Sequence, residues 1–172
     1  MGISPEVRRE LEWVRDDFAA LVGSVTRAEL DAPSNSTRWT NRELLFHMWF
    51  GQRIARLFIP LMGLFSRLPE PVQRGWARLL TAATGPYSWV NYIGSVGGAR
   101  LLGLGFARRM MDADTARLLH WAERATERDL ARGMHVPTAW DPYFSEVMTR
   151  ADVLAWAPKH YRHHRTQLRV AS

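Results

Sequence analysis

Apolar residues in this chain recur at intervals of three and four, and nowhere in a sustained alternation of two. That spacing lines them up along one side of an α-helix, whereas a half-buried strand needs a period of two. Val7, Leu11, Val14, Phe18 and Leu21 make such a stripe behind Ser4-Pro5-Glu6, an N-cap followed by proline at the first helical position. A second helix has the clearest start in the chain. Thr40-Asn41-Arg42-Glu43 is a capping box, and Trp39 before it is placed to staple onto Leu44. This helix is expected to run to about Ile59, where Pro60 intervenes. A third is expected from Asp112 or Asp114, through Leu118, Leu119 and Ala122, to Gly133. A fourth should begin near Thr149 and end around Val170, after the turn-rich stretch 136–142. The fold class is all-α.

With 172 residues there is room for one domain of ordinary size, so a single domain over 1–172 is expected. Between the second and third helices, residues 60–111 form an insertion in which 71–83 and 100–111 read as short helices. Extra cover for the core suits this insertion better than a substrate lid. Residues 79–99 carry no charge until Arg100 and approach the length of a bilayer span. Gly85, Pro86, Asn91, Gly94, Gly97 and Gly98 interrupt them, however, and a partly buried loop-and-helix segment is the better reading.

The chain contains no cysteine, which excludes a disulfide scaffold, a thiolate metal site and a cysteine nucleophile. Its net charge is +6, and Lys159 is the only lysine. Positive charge attracts polyanions in general, but these arginines are scattered through the sequence without a dense run, which argues against a nucleic-acid partner. The N-terminus lacks a basic start followed by an apolar core, so a cytoplasmic protein without membrane association is expected.

The histidines carry the chemistry. His47 lies within the second helix on the face of Phe50, Ile54 and Phe58. In the fourth helix, His160 and His164 are four residues apart and so stack on one face, beside the apolar stripe of Leu154, Ala157, Tyr161 and Leu168. Two imidazoles so placed can chelate one divalent ion, and His47 would make a third ligand, leaving open positions for water or substrate. Imidazole suits Zn²⁺, Ni²⁺, Cu²⁺ or Fe²⁺. By spacing alone, a three-histidine site and a solvated basic His/Arg surface both remain open. His163 points away from the stripe, while His120 and His135 are isolated.

Two motifs give the chain a family resemblance. Trp39-Thr40-Asn41-Arg42-Glu43-Leu44-Leu45-Phe46-His47 resembles the second-helix motif of the DinB-like superfamily, with a histidine eight residues after the tryptophan. His160-Tyr161-Arg162-His163-His164-Arg165-Thr166-Gln167-Leu168 is similar to that superfamily's last-helix motif, and Met148-Thr149-Arg150-Ala151-Asp152-Val153-Leu154 to the way that helix begins. The resemblance implies a four-helix bundle holding a divalent metal, Zn²⁺ or Ni²⁺ first, on His47, His160 and His164. It further implies a metal-dependent transferase or isomerase acting on a small-molecule substrate with a low-molecular-weight thiol. The arginine bias, typical of GC-rich genomes, makes mycothiol the first candidate thiol. A homodimer is allowed for. The rival readings are a metal-binding bundle without turnover and a basic DNA-binding regulator. Two features depart from the family pattern: the long insertion, and Pro158 two residues before His160, which would either kink the helix or mark a junction of two shorter ones. Around the site, Glu43 could orient His47 or simply complete its capping box, Tyr161 could face a substrate or be core, and Arg165 and Gln167 match the motif without an assigned role.

Overall fold

At the start of the second predicted helix the Thr40 hydroxyl accepts the Glu43 N–H, and the Glu43 carboxylate accepts the Thr40 N–H in return. The computed structural model, which describes residues 2–171, builds its bundle around the helix that begins there. Four long helices form the bundle: α1 (Pro5–Ser24), α3 (Asn41–Phe65), α6 (Gly103–Arg124) and α8 (Arg150–Arg165). Both α1 and α3 pack against both α6 and α8, so α1 and α3 face each other diagonally. A short helix α2 (Arg27–Asp31) lies between α1 and α3, and α7 (Glu127–Leu130) follows α6. The stripe expected on α1 is buried at Leu11, Val14, Phe18 and Leu21. On the side of α3 turned from its histidine, a polar layer ties it to α6. Asp114, fully buried, pairs with Arg53 at 2.8 Å and Arg56 at 3.1 Å, and Gln52 donates to the Thr115 hydroxyl at 3.0 Å.

The fold is all-α, as the spacing predicts, but several boundaries differ. Pro60 does not end α3, which continues to Phe65. The Arg150 Nε reaches across to the Ile59 carbonyl at 2.8 Å, a tertiary contact that anchors α3 beside the proline. α6 begins at Gly103, well before Asp112, and stops at Arg124 because Thr126 and Asp129 form a fresh capping box for α7. α8 ends at Arg165 rather than near Val170, and it runs unbroken through Pro158, so the junction of two helices is excluded. A two-stranded antiparallel ladder, β1 (Gly133–His135) with β2 (Val147–Thr149), closes the link before α8. Three residues per strand are too few to show a period in sequence.

The insertion spans 66–102 and, apart from the turns at 66–69, 83 and 102, consists of two helices: α4 (Glu70–Ala82) and α5 (Thr84–Leu101). The glycine-rich segment expected to be part loop is thus α5. Its Ser95 and Ala99 are buried against α3, and such packing outweighs poor helix propensity. The corner into α6 is made at Gly103, whose φ of +73° suits glycine. No helix among the described residues is long and apolar enough to cross a membrane.

Candidate metal centre

His47, in the second turn of α3, and His160 and His164, in the last two turns of α8, meet where these helices pack. One ligand atom from each lies within 4.8 Å of the other two. His47 and His160 are buried, 6 % and 9 % exposed, and His164 is partly buried. A solvated His/Arg surface is therefore not what these residues form.

The orientation of each ring is fixed from behind. His160 donates its Nδ1–H to the Asp141 carboxylate at 2.8 Å. His164 donates Nδ1–H to the Gln167 side-chain oxygen at 2.7 Å. The His47 Nδ1 lies 3.4 Å from the Ser95 hydroxyl, whose own proton goes to the Asn91 carbonyl, so His47 is again the donor. With Nδ1 protonated in all three rings, every Nε2 presents a lone pair to the same point. Two of them, on His47 and His164, stand 3.2 Å apart. The third, on His160, is buried with no hydrogen-bond partner.

Facing lone pairs repel, and an unpartnered buried acceptor costs on the order of 1–3 kcal/mol. A cation between them removes both penalties. Nitrogens bound tetrahedrally to one zinc at about 2.0–2.1 Å would sit about 3.3 Å apart, close to the separation seen. The donor set therefore fits a divalent metal, and hydrogen-bonded outer nitrogens are what metal-ligating histidines usually show.

Electrostatics agree. Burial, and then the neighbouring His160 and His164, push the His47 imidazole well below its ordinary pKa. Burial and His160 likewise push His164 down to about 3, despite the opposing Gln167 hydrogen bond. Both rings are thus neutral at physiological pH, the form that binds metal. Burial alone would raise the Asp141 carboxyl, but the hydrogen bond from His160, with that from the Tyr143 N–H, holds it below the usual range.

The three Nε2 atoms face a cavity of about 340 Å³. Trp39 stacks on His47 at 4.5 Å, and Trp156 lies 4.9 Å from His160, so aromatic walls flank the polar end. Tyr87 of α5 stacks on Trp140 at 3.8 Å, and the Trp140 indole donates to the Leu80 carbonyl, pinning the insertion to the loop that carries Asp141. The insertion is thus more than core cover, since it also walls the cavity and supports His47 through Ser95. Gly51, one turn beyond His47, makes room for His160: a Cβ there would stand 2.8 Å from His160 Nε2.

Of the other residues singled out in the sequence, Glu43 serves the capping box and a distant contact with Arg100, at 3.9 Å, rather than His47. Tyr161 is core, its hydroxyl donating to Asp17, which also pairs with Arg165. His163 lines the cavity near Tyr143 but stands outside the converging trio. Asp141, Ser95 and Asn91 were not legible as site residues. They lie in the turn-rich link and the insertion, with no spacing that connects them to a histidine.

No curated protein and no solved structure matches the chain significantly. A family model described as the DinB superfamily matches residues 10–168, which takes in most of α1, the whole of α3, α6 and α8, and all three histidines. On a match of that extent, the chain belongs to the DinB superfamily.

Proposed function

We propose that the chain binds one divalent metal through Nε2 of His47, His160 and His164, and uses it to transfer or isomerise a small substrate with the help of a low-molecular-weight thiol. The observation that carries this reading is the convergence of three Nε2 lone pairs, each ring held from behind on Nδ1. Zn²⁺ and Ni²⁺ suit three imidazoles with open positions. A bound ion there supplies Lewis acidity, lowering the pKa of a coordinated thiol towards neutrality. The chain's own part is to hold and orient the reactants. Trp39 and Trp156 exclude water beside the histidines, and the remaining cavity of about 340 Å³ accommodates a small organic molecule. His163 lines the same cavity, its Nδ1 3.4 Å from the Tyr143 hydroxyl and its Nε2 3.4 Å from the Gln167 amide. Mycothiol remains the first thiol to test, with bacillithiol and glutathione beside it.

Alanine at His47, His160 or His164 should each weaken metal binding at least about 10-fold, while His163→Ala leaves it nearly unchanged. Calorimetric titration with Zn²⁺ reads this directly, and loss of binding in His163→Ala alone would refute the assignment. For the chemistry, at least one of the three thiols should produce a thiolate-to-metal charge-transfer band in the Co²⁺-substituted protein. No spectral change with any of them would remove the thiol from the mechanism and leave the metal site standing.

A further inference from the structure

The arginines that look scattered in sequence are gathered by the fold. A second cavity, of about 550 Å³, lies between the C-terminal half of α3, α6, the start of β1 and the start of α8. It is lined by Arg56, Arg67, Arg117, Arg132 and Arg150, with Trp121. Its lining contains no acidic residue. Arg56 has Asp114 as its counter-ion, and that carboxylate is shared with Arg53. Asp129 senses Arg132 and Arg150, but its oxygen is engaged by the Thr126 hydroxyl and N–H. Among the described residues, Arg67, Arg117, Arg132 and Arg150 form no salt bridge within 4 Å.

Arg150 is the decisive member. It is 7 % exposed, it lies over the Trp121 ring at 5.2 Å, and its recorded side-chain hydrogen bond, to Ile59, uses only Nε. Its terminal nitrogens are left for the cavity. Burial, with Arg132 and Arg67 nearby, holds its pKa below the usual arginine value even though Asp129 opposes them. Like charges crowd together at a cost unless an anion answers them, and guanidinium groups bind phosphate oxygens through paired, charge-assisted hydrogen bonds.

We infer that this cavity is a binding site for a small multivalent oxyanion of the phosphate class, separate from the histidine centre. The two sites use opposite faces of α3: Leu57, Phe58 and Leu61 turn to the histidine cavity, and Arg56, Ile59 and Gly63 to the arginine cavity. The arginines ring one short groove whose most buried member is Arg150, and a groove of about 550 Å³ takes a compact anion, such as a free diphosphate or a phosphate ester.

Calorimetric titration with pyrophosphate, inorganic phosphate and glycerol phosphate tests this in the full chain. Saturable binding of pyrophosphate is expected, weakening as salt rises. The three probes separate free phosphates from esters. Arg117→Gln combined with Arg132→Gln should weaken binding at least about 10-fold, the equivalent of about one charge-assisted hydrogen bond. His164→Ala should bind pyrophosphate as the unaltered protein does. Should the double variant fail to fold, Arg67→Gln, at an exposed position, carries the same comparison. The inference is overturned if pyrophosphate does not saturate at millimolar concentration in low salt, or if the arginine variants bind it normally. It is equally overturned if His164→Ala abolishes binding, or if duplex DNA binds in preference to every small phosphate.

Discussion

At the scale of single residues, the centre depends as much on what is absent as on what is present. Gly51 occupies the α3 position facing His160, and its lack of a side chain lets the imidazole lie against the helix backbone. Alanine is the better helix former by roughly 1 kcal/mol, so propensity alone would favour Gly51→Ala. The added Cβ, however, would meet His160 at Cδ2 and Nε2, 2.6 and 2.8 Å away, which pushes the ligand atom itself. Gly51→Ala is therefore expected to weaken Zn²⁺ binding at least about 10-fold while far-ultraviolet circular dichroism stays helical. Unchanged affinity would mean that His160 can take another rotamer and still reach the metal. The motif His160…His164 was legible because four residues make one helical turn, and helical phase also set His163 apart. The partners that orient the rings were not: Asp141 is 19 residues from His160, in a loop whose course depends on the ladder of β1 and β2. Gln167 could be read as part of a motif, but only the structure gives it to His164 Nδ1.

At the scale of elements, capping boxes begin four of the helices among the described residues, at Thr26, Thr40, Thr126 and Thr149. Those at Thr40 and Thr149 marked starts in the sequence, whereas those at Thr26 and Thr126 head helices too short to show a periodic stripe. Helix ends were harder to read, because Pro60 and Pro158 are tolerated by packing that a sequence does not display. α5 shows the same limit, since its burial against α3 compensates for four glycines. The box on α2 does a second task. Glu29 accepts N–H groups from both Thr26 and Ala171, at 2.8 and 2.7 Å, fastening the end of the chain to the start of the bundle. The backbone bond from Ala171, then the Thr26 hydroxyl and N–H, bring the Glu29 carboxyl from its ordinary 4.5 down to about 2. Because the folded pKa is depressed, this stabilisation is complete above the ordinary value and is lost as pH falls towards 2. Glu29→Gln should thus lower the urea midpoint at pH 7, and the gap to the unaltered protein should shrink by pH 3.5. A gap that stays constant between those pH values would show that the carboxylate charge is not what holds the tail.

For the whole molecule, the histidine centre lies where α3 and α8 pack and draws on the insertion and the 136–146 loop for support. Its three histidines come from α3 and α8, and the groups behind them come from α5, from the loop before β2 and, at Gln167, from just after α8. α5 is thinly covered: its buried residues are Ser95 and Ala99, while Trp89, Val90 and Leu101 are 66 %, 71 % and 86 % exposed. Elements with little buried apolar surface open at lower free energy than the core of a bundle. Metal removal should consequently be felt in two ways. A ligand that binds only the folded state stabilises it by about 2.7 kcal/mol at a free concentration 100 times Kd. For a chain of this size each kcal/mol shifts Tm by about 2–4 °C, so saturating Zn²⁺ should raise Tm by about 5–10 °C, and a chelator should reverse the rise. The same treatment should speed amide hydrogen exchange most in α5 and the 136–146 loop, since Ser95 and Asp141 lose the fixed rings they support. α1 and α6, which supply no group to the centre, should change least. Exchange that accelerates evenly over all four bundle helices would mean that the metal stabilises the fold as a whole and does not tie the insertion to it. A Tm indifferent to both Zn²⁺ and chelator would mean that the three lone pairs are not held for a cation at all.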